Sequence, residues 1–115
     1  MKLSVFKKYQ EEFANPRNLA AGAIKQKDPE KTRDYHLSFF GYDILGLPLK
    51  TEEAKFALLK SFHVPTVEVL KISREKMQET YEQFLSRRDR WDYETDGVVF
   101  KANRVAEQDR LGFTA

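Results

Sequence analysis

Apolar residues change their period several times along this chain. That switching restricts it to folds that combine helices with extended backbone. Ser4–Glu12 carries Val5 and Tyr9 four apart with Phe6 beside them, which predicts a short helix. The hexad Phe13–Asn18 (FANPRN) breaks the pattern and supplies helix-start chemistry. Asn15 before Pro16 is a cap followed by a proline at the first helical position, and Asn18 is a second candidate cap. A helix rich in small residues is expected through Leu19–Lys25. Lys27–Asp34 is polar, contains Pro29 and reads as a loop. Leu37–Leu45 (LSFFGYDIL) is strand-like and closed by Gly46 and Pro48. Thr51 caps a helix to about Phe62, with Leu58, Leu59 and Phe62 on its apolar face. Thr66–Ile72 alternates and predicts a strand. Ser73 caps a helix with Met77, Tyr81, Phe84 and Leu85 at helical spacing. Asp96–Asn103 (DGVVFKAN) predicts another strand, and Val105–Leu111 a short helix stopped by Gly112.

These alternating elements have irregular connections, no internal repeat and no glycine-rich first turn. The expectation is α+β, an antiparallel or mixed sheet with flanking helices, not a doubly wound sheet. The chain has 115 residues, which suits one small domain. A 13% aromatic fraction argues against disorder. With 20 basic and 18 acidic residues, charge alone does not predict nucleic-acid binding. There is no cysteine, so disulfides and thiolate metal sites are excluded. No apolar run is long enough to span a membrane and no signal peptide is visible, so the expectation is a soluble, cytoplasmic monomer with no membrane contact.

Three clusters could carry chemistry. In FANPRNLAAGAIKQ, a helix N-terminus suits a phosphate, Arg17 adds a forked donor, Ala20–Ala23 admit close approach, and Lys25 adds a cation. The plain alternative is a helix packed tightly on its neighbours with solvated ends. In DGVVFK, strand periodicity sets Lys101 beside Val99, where a buried ammonium needs an anion, a phosphate or a carboxylate. Asp96 falls on the opposite face unless Gly97 bends the strand. The alternative is an edge strand guarded by a lysine. The run Arg87, Arg88 and Arg90 could bind phosphate or simply cap a helix end. His36 and His63 read as structural or exposed. The aromatics Phe39, Phe40, Tyr42 and Tyr93 read as core.

Two of these blocks resemble a known family. Phe13–Gln26, FANPRNLAAGAIKQ, resembles the FxNPRNxAAGxLRQ segment of bacterial NAD-dependent DNA ligases. Arg88–Phe113, RDRWDYETDGVVFKANRVAEQDRLGF, resembles their RDxLxYEIDGVVIKVNxLxxQxxLG segment. The blocks stand in the family's order and cover about a third of the chain. The resemblance implies an internal piece of the nucleotidyltransferase (ATP-grasp-like) adenylation domain. Such ligases form a lysine–AMP adduct from NAD and release nicotinamide mononucleotide. They move AMP to the 5′-phosphate of nicked duplex DNA and seal the nick, assisted by magnesium. It further implies that Lys101 and Asp96 are catalytic. Lys101 and Arg17 would contact the nucleotide phosphates, and Arg17, Lys25 and Arg88 the phosphates of DNA.

Lys25 stands where the family has arginine, Phe100 replaces isoleucine and Ala102 replaces valine. The family's KxDG nucleophile is not in this sequence, because its one Asp-Gly, Asp96-Gly97, has no lysine two residues before it. The family's Gly-Glu strand and its late lysine are expected to lie outside residues 1–115, as are its other domains. The expectation is thus a piece truncated at both ends and inactive alone. The alternatives are a non-catalytic nucleic-acid-binding module and a purely structural fragment.

Overall fold

Helix signals and strand signals have different fates in this chain. The structure, a computed structural model, describes residues 1–112. Among them are α1 (Leu3–Phe6), α2 (Pro16–Ile24), α3 (Pro29–Asp34), α4 (Glu52–Ser61), α5 (Met77–Arg87) and α6 (Val105–Leu111). Single 3-10 turns occupy Arg74–Lys76 and Arg88–Arg90. Phe113, the last residue of the second motif block, lies outside the described residues.

No strand is present among the described residues. Two isolated bridges take the place of a sheet, Gly41 with Thr66 (parallel) and Thr51 with Arg104 (antiparallel). Helix accounts for 47% of the described residues, so the expected α+β architecture with an antiparallel or mixed sheet is overturned. The segments 37–45, 66–72 and 96–103, all expected as strands, are irregular and lack a ladder. Their alternating apolar side chains do not find the half-buried pleated surface that such a pattern suits. Phe39 is 72%, Leu45 86% and Val99 79% exposed. Strand propensity reports packing against neighbouring strands, and without paired backbone it determines nothing locally.

Helix starts follow local chemistry more faithfully. The Asn15 side chain accepts from the Asn18 N–H at 2.8 Å, with Pro16 in the first helical position. Thr51 Oγ1 accepts from the Ala54 N–H at 3.1 Å. The expected loop at 27–34 instead holds α3, started by Asp28 accepting from the Glu30 N–H, with Pro29 at the first position. Asp28-Pro29 repeats the logic of Asn15-Pro16, so proline here begins a helix. The first helix is shorter than expected, because only Leu3–Phe6 is helical and turns follow to Glu12. Ser73 precedes a 3-10 turn and makes no side-chain cap bond. Gly112, at φ 73°, ends α6 as expected.

The chain forms two compact units. One comprises Met1–Ser38 with Thr80–Gly97; the other comprises Phe39–Glu79 with Val98–Ala115, of which residues up to 112 are described. In the first, α2 packs against α1 and α3. Leu19 and Ala23 are fully buried, so the small-residue helix is used for packing. Tyr9 meets Tyr35 at 5.2 Å between ring centroids, and Thr32 Oγ1 donates to the Ala23 carbonyl at 3.0 Å. Asp92 ties the ends of this unit together, accepting from the Ser4 N–H at 2.8 Å and from the Ser4 hydroxyl. Trp91 lies between Phe84 (5.6 Å) and Tyr93 (6.0 Å, stacked).

In the second unit, Leu59 of α4 is buried beside Gly41. A Cβ on Gly41 would stand 2.9 Å from Val64 Cγ1 and 3.1 Å from Leu59 Cδ2. Gly41 is therefore required by close approach. The unit's other buried side chains were not expected: Glu52 and Lys55, on the same face of α4 as Leu59. The expected face residue Phe62 is 69% exposed.

Candidate functional site

Arg17, Lys25, Arg88 and Asp96 belong to the first unit and Lys101 to the second. Within the first unit, the structure brings Arg17 and Asp96 together. Arg17 sits one residue inside the start of α2. Its Nη2 donates to Asp96 Oδ2 at 2.8 Å, joining the two motif blocks across a separation of 79 residues. Both side chains are exposed, 78% and 86%, and an ion pair in that setting contributes about 0–1 kcal/mol. The contact therefore orients more than it stabilises. Asp96 occupies one of the five N–H donors of the guanidinium, and the planar fork presents the others at defined angles.

Lys25 does not join that pair. It is the C-terminal cap residue of α2, eight residues beyond Arg17, which a helical rise puts at about 12 Å. There its charge complements the negative end of the helix dipole. Arg88 opens the 3-10 turn after α5 and is exposed. The neighbouring Arg87 lies over the Phe84 ring at 5.1 Å, so one arginine of the basic run packs and another faces water.

Lys101 is exposed, as is Val99 at 79%. The strand expected over 96–103 does not form, so neither the buried nor the edge-strand setting for Lys101 arises and its ammonium is exposed. Gly97 has open space where a Cβ would stand.

The second unit holds a cluster that no sequence motif marks. Lys55 Nζ donates to Asp43 Oδ1 at 2.7 Å and to Glu52 Oε1 at 3.3 Å. The Lys55 and Glu52 side chains are 11% and 10% exposed, and Asp43 28%. Gln108 of α6 donates from Nε2 to Glu52 Oε1 at 2.9 Å and to the Ala102 carbonyl at 2.7 Å. Glu52 Oε2 is buried and has no hydrogen-bond partner. The Lys55 hydrogen bond, opposed by burial, holds the Asp43 carboxyl below its ordinary range; the Ile44 N–H and the charges of Lys55 and Lys101 add to the effect. Hydrogen bonding to Asp43 raises the Lys55 ammonium above its ordinary value, against desolvation. The one available signal in the sequence is the spacing of residues 52, 55 and 59, which share one helical face and put a Glu–Lys pair in line with a core leucine.

Among the described residues, no group of three or more His, Asp, Glu or Cys side chains could hold a metal ion. No helix among them is long and apolar enough to cross a membrane.

Comparison with known proteins agrees with the two motif blocks. The family described as the NAD-dependent DNA ligase adenylation domain matches residues 2–115. A DNA ligase of Psychrobacter cryohalolentis is 43% identical over 106 residues, 88% of this chain and 15% of that protein. DNA ligases of Dichelobacter nodosus and Rhodospirillum rubrum are 38% and 39% identical, each over 90% of this chain and 16% of the relative. The chain spans about a sixth of the length of these curated relatives. With the family matched over almost its whole length, the chain belongs to the NAD-dependent DNA ligase adenylation-domain family.

Proposed function

We propose that this chain serves as the phosphate-contacting part of an NAD-dependent DNA ligase that seals nicks in duplex DNA. In this role, Arg17 and Lys101 contact phosphates of NAD and the adenylate, and Arg17, Lys25 and Arg88 contact phosphates of the nicked strand. The observation that carries the reading is the Arg17–Asp96 pair, 2.8 Å long and exposed. It joins the NPRN block to the DGVVFK block while contributing little to stability. Asp96 acts as a positioning residue that aims the guanidinium, and an incoming phosphate takes the remaining donors. Lys101 supplies a compact, solvated ammonium, suited to charge that develops on a phosphate. Magnesium and a monomeric state belong to the same proposal.

The 115-residue chain alone is expected to form no covalent AMP adduct, because a covalent intermediate needs a nucleophile and the KxDG lysine is not in the sequence. Incubation with adenine-labelled NAD and magnesium, then denaturing electrophoresis, tests this, and a labelled band at 13.5 kDa contradicts it. The reading itself is tested with Lys101→Ala and Arg17→Ala in the complete ligase polypeptide that carries this segment. Each removes a charge-assisted hydrogen bond of order 1.5–3 kcal/mol. Lysine–AMP formation should fall at least about tenfold, with an unchanged melting temperature because both side chains are exposed. Near-normal rates in both variants end the reading.

A further inference from the structure

Lys101 is exposed, so its own surroundings do not hold it; the backbone just after it is clamped instead. The Asn103 carbonyl accepts from the Glu52 N–H at 2.8 Å, and Asn103 Oδ1 accepts from the Glu53 N–H at 3.1 Å. These are two of the N–H groups at the start of α4 that lack partners within the helix. Thr51 caps a third, that of Ala54. Asn103 thus caps α4 from a distant part of the chain, and it does so with main chain and side chain together. The Val105 N–H donates to the Lys50 carbonyl at 3.0 Å, closing the contact on the other side.

Gln108 completes the clamp. Its amide reaches both the Ala102 carbonyl and Glu52 Oε1. Both partners only accept, so the NH2 end must face them, with its two hydrogens matching the two acceptors. Glu52 is in turn held by Lys55, and Lys55 by Asp43. A continuous chain of hydrogen bonds therefore runs from the buried ion cluster to the carbonyl of the residue beside Lys101.

We propose that Gln108 and Asn103 are positioning residues for Lys101, fixing its backbone against the start of α4 so that the ammonium is presented where a phosphate oxygen binds. The proposal rests on the phosphate-contacting role assigned to Lys101 above. Asn103 and Gln108 hold Ala102 and Asn103 in place, and Glu52 acts through Gln108. Glu52 Oε2 has no hydrogen-bond partner, so the bonds to Lys55 and Gln108 both fall on Oε1.

The test is a double-mutant cycle in the complete ligase polypeptide that carries this segment. Lysine–AMP formation from NAD is followed in a single turnover for the parent, Lys101→Ala, Gln108→Met and the double variant, with a melting temperature for each. Methionine keeps the length of glutamine and removes both donors. Gln108→Met should slow the parent by roughly tenfold, since misplacement of a reacting group by about 1 Å can cost on the order of a hundredfold. It should slow Lys101→Ala no further, because residues acting through one contact are not additive. Equal slowing in both backgrounds means a purely structural role and overturns the proposal. So does a near-normal rate for Gln108→Met. A near-normal rate for Lys101→Ala overturns the phosphate-contacting role itself, and with it this proposal, so the two failures are told apart. If Gln108→Met unfolds, the same cycle is run with Glu52→Met, which breaks the chain of bonds from the other end, and the same outcomes support or overturn the proposal.

Discussion

Each unit of this protein holds an ion-paired cluster, and the two clusters have opposite physics. Arg17 and Asp96 meet at 2.8 Å with both side chains more than three-quarters exposed. Lys55 meets Asp43 at 2.7 Å with side-chain exposures of 11% and 28%, and Glu52 shares the ammonium. Distance is therefore nearly the same, and solvent makes the difference. Water competes for every donor of Arg17, so that pair adds little to stability and its groups stay available. Around Lys55 water is largely gone, so loss of one partner leaves a charge stranded. The exposed pair thus keeps its remaining donors in water, open to the phosphate proposed above, whereas the buried pair is costly to break.

The largest effect that can break this comparison is Lys55→Ala. It leaves the Asp43 and Glu52 carboxylates beside each other without a cation. The expected loss is about 3 kcal/mol, at the lower end for a broken buried pair because Asp43 is partly exposed. Urea denaturation of the 115-residue chain measures it. A loss below about 1 kcal/mol would put the Lys55 cluster in the same class as a surface pair.

The pH dependence of the buried cluster is the next test. The Asp43 carboxyl titrates below its ordinary value, so its stabilisation is present above that value and is lost as pH falls through the lowered pKa. The Lys55 ammonium titrates above its ordinary value, so its share is present below that value and is lost as pH rises through the raised one. The stability gap between the parent and Lys55→Ala should stay flat between those limits and shrink at both ends. A gap that instead changes around neutral pH would mean that another group titrates with the cluster. In the first unit, Asp92 is also lowered, mainly by the Ser4 hydroxyl, so the Ser4–Asp92 tie is likewise lost only in acid.

A smaller change is expected for Arg17→Ala, within about 1 kcal/mol of the parent and shrinking further as added salt screens the exposed pair. A loss as large as that of Lys55→Ala would show that the exposed pair carries the fold, and the contrast would fail.

The smallest effects test the units side by side. His36 follows α3 at φ 46°, and His63 follows α4 at φ 56°, each in the left-handed position that commonly ends a helix. Glycine there relieves roughly 1–2 kcal/mol of side-chain strain and costs about 0.5–1 kcal/mol in unfolded-chain freedom. His36→Gly and His63→Gly should each stabilise by roughly 0.5 kcal/mol. Denaturation curves that shift the other way would assign the imidazoles a contact that offsets the strain.

Legibility follows the range of the interactions. The caps at Asn15 and Thr51 can be read because a cap joins residues three apart. Asp28-Pro29 carries the same signal, but in a polar stretch a proline reads equally as a breaker. The three expected strands fail because a strand is completed by backbone elsewhere in the chain, and alternating residues cannot show whether that backbone arrives. Arg17, Asp96 and Lys101 can be picked out because their motifs are contiguous. The pairing of Arg17 with Asp96 spans 79 residues and cannot be. The Lys55 cluster is hidden because Asp43, Glu52 and Gln108 come from three separate segments.

Neighbouring residues were therefore enough to establish where most helices begin, which family the chain belongs to and which side chains bear its motifs. Capping and motif spacing act over one or two turns, so their signals are complete within a short stretch. Folding of the whole chain was needed to settle which charges are buried, which extended segments find partners, and that Asn103 and Gln108 grip the backbone beside Lys101. Burial and long-range hydrogen bonds depend on which distant atoms exclude water from one another, and no local pattern encodes that.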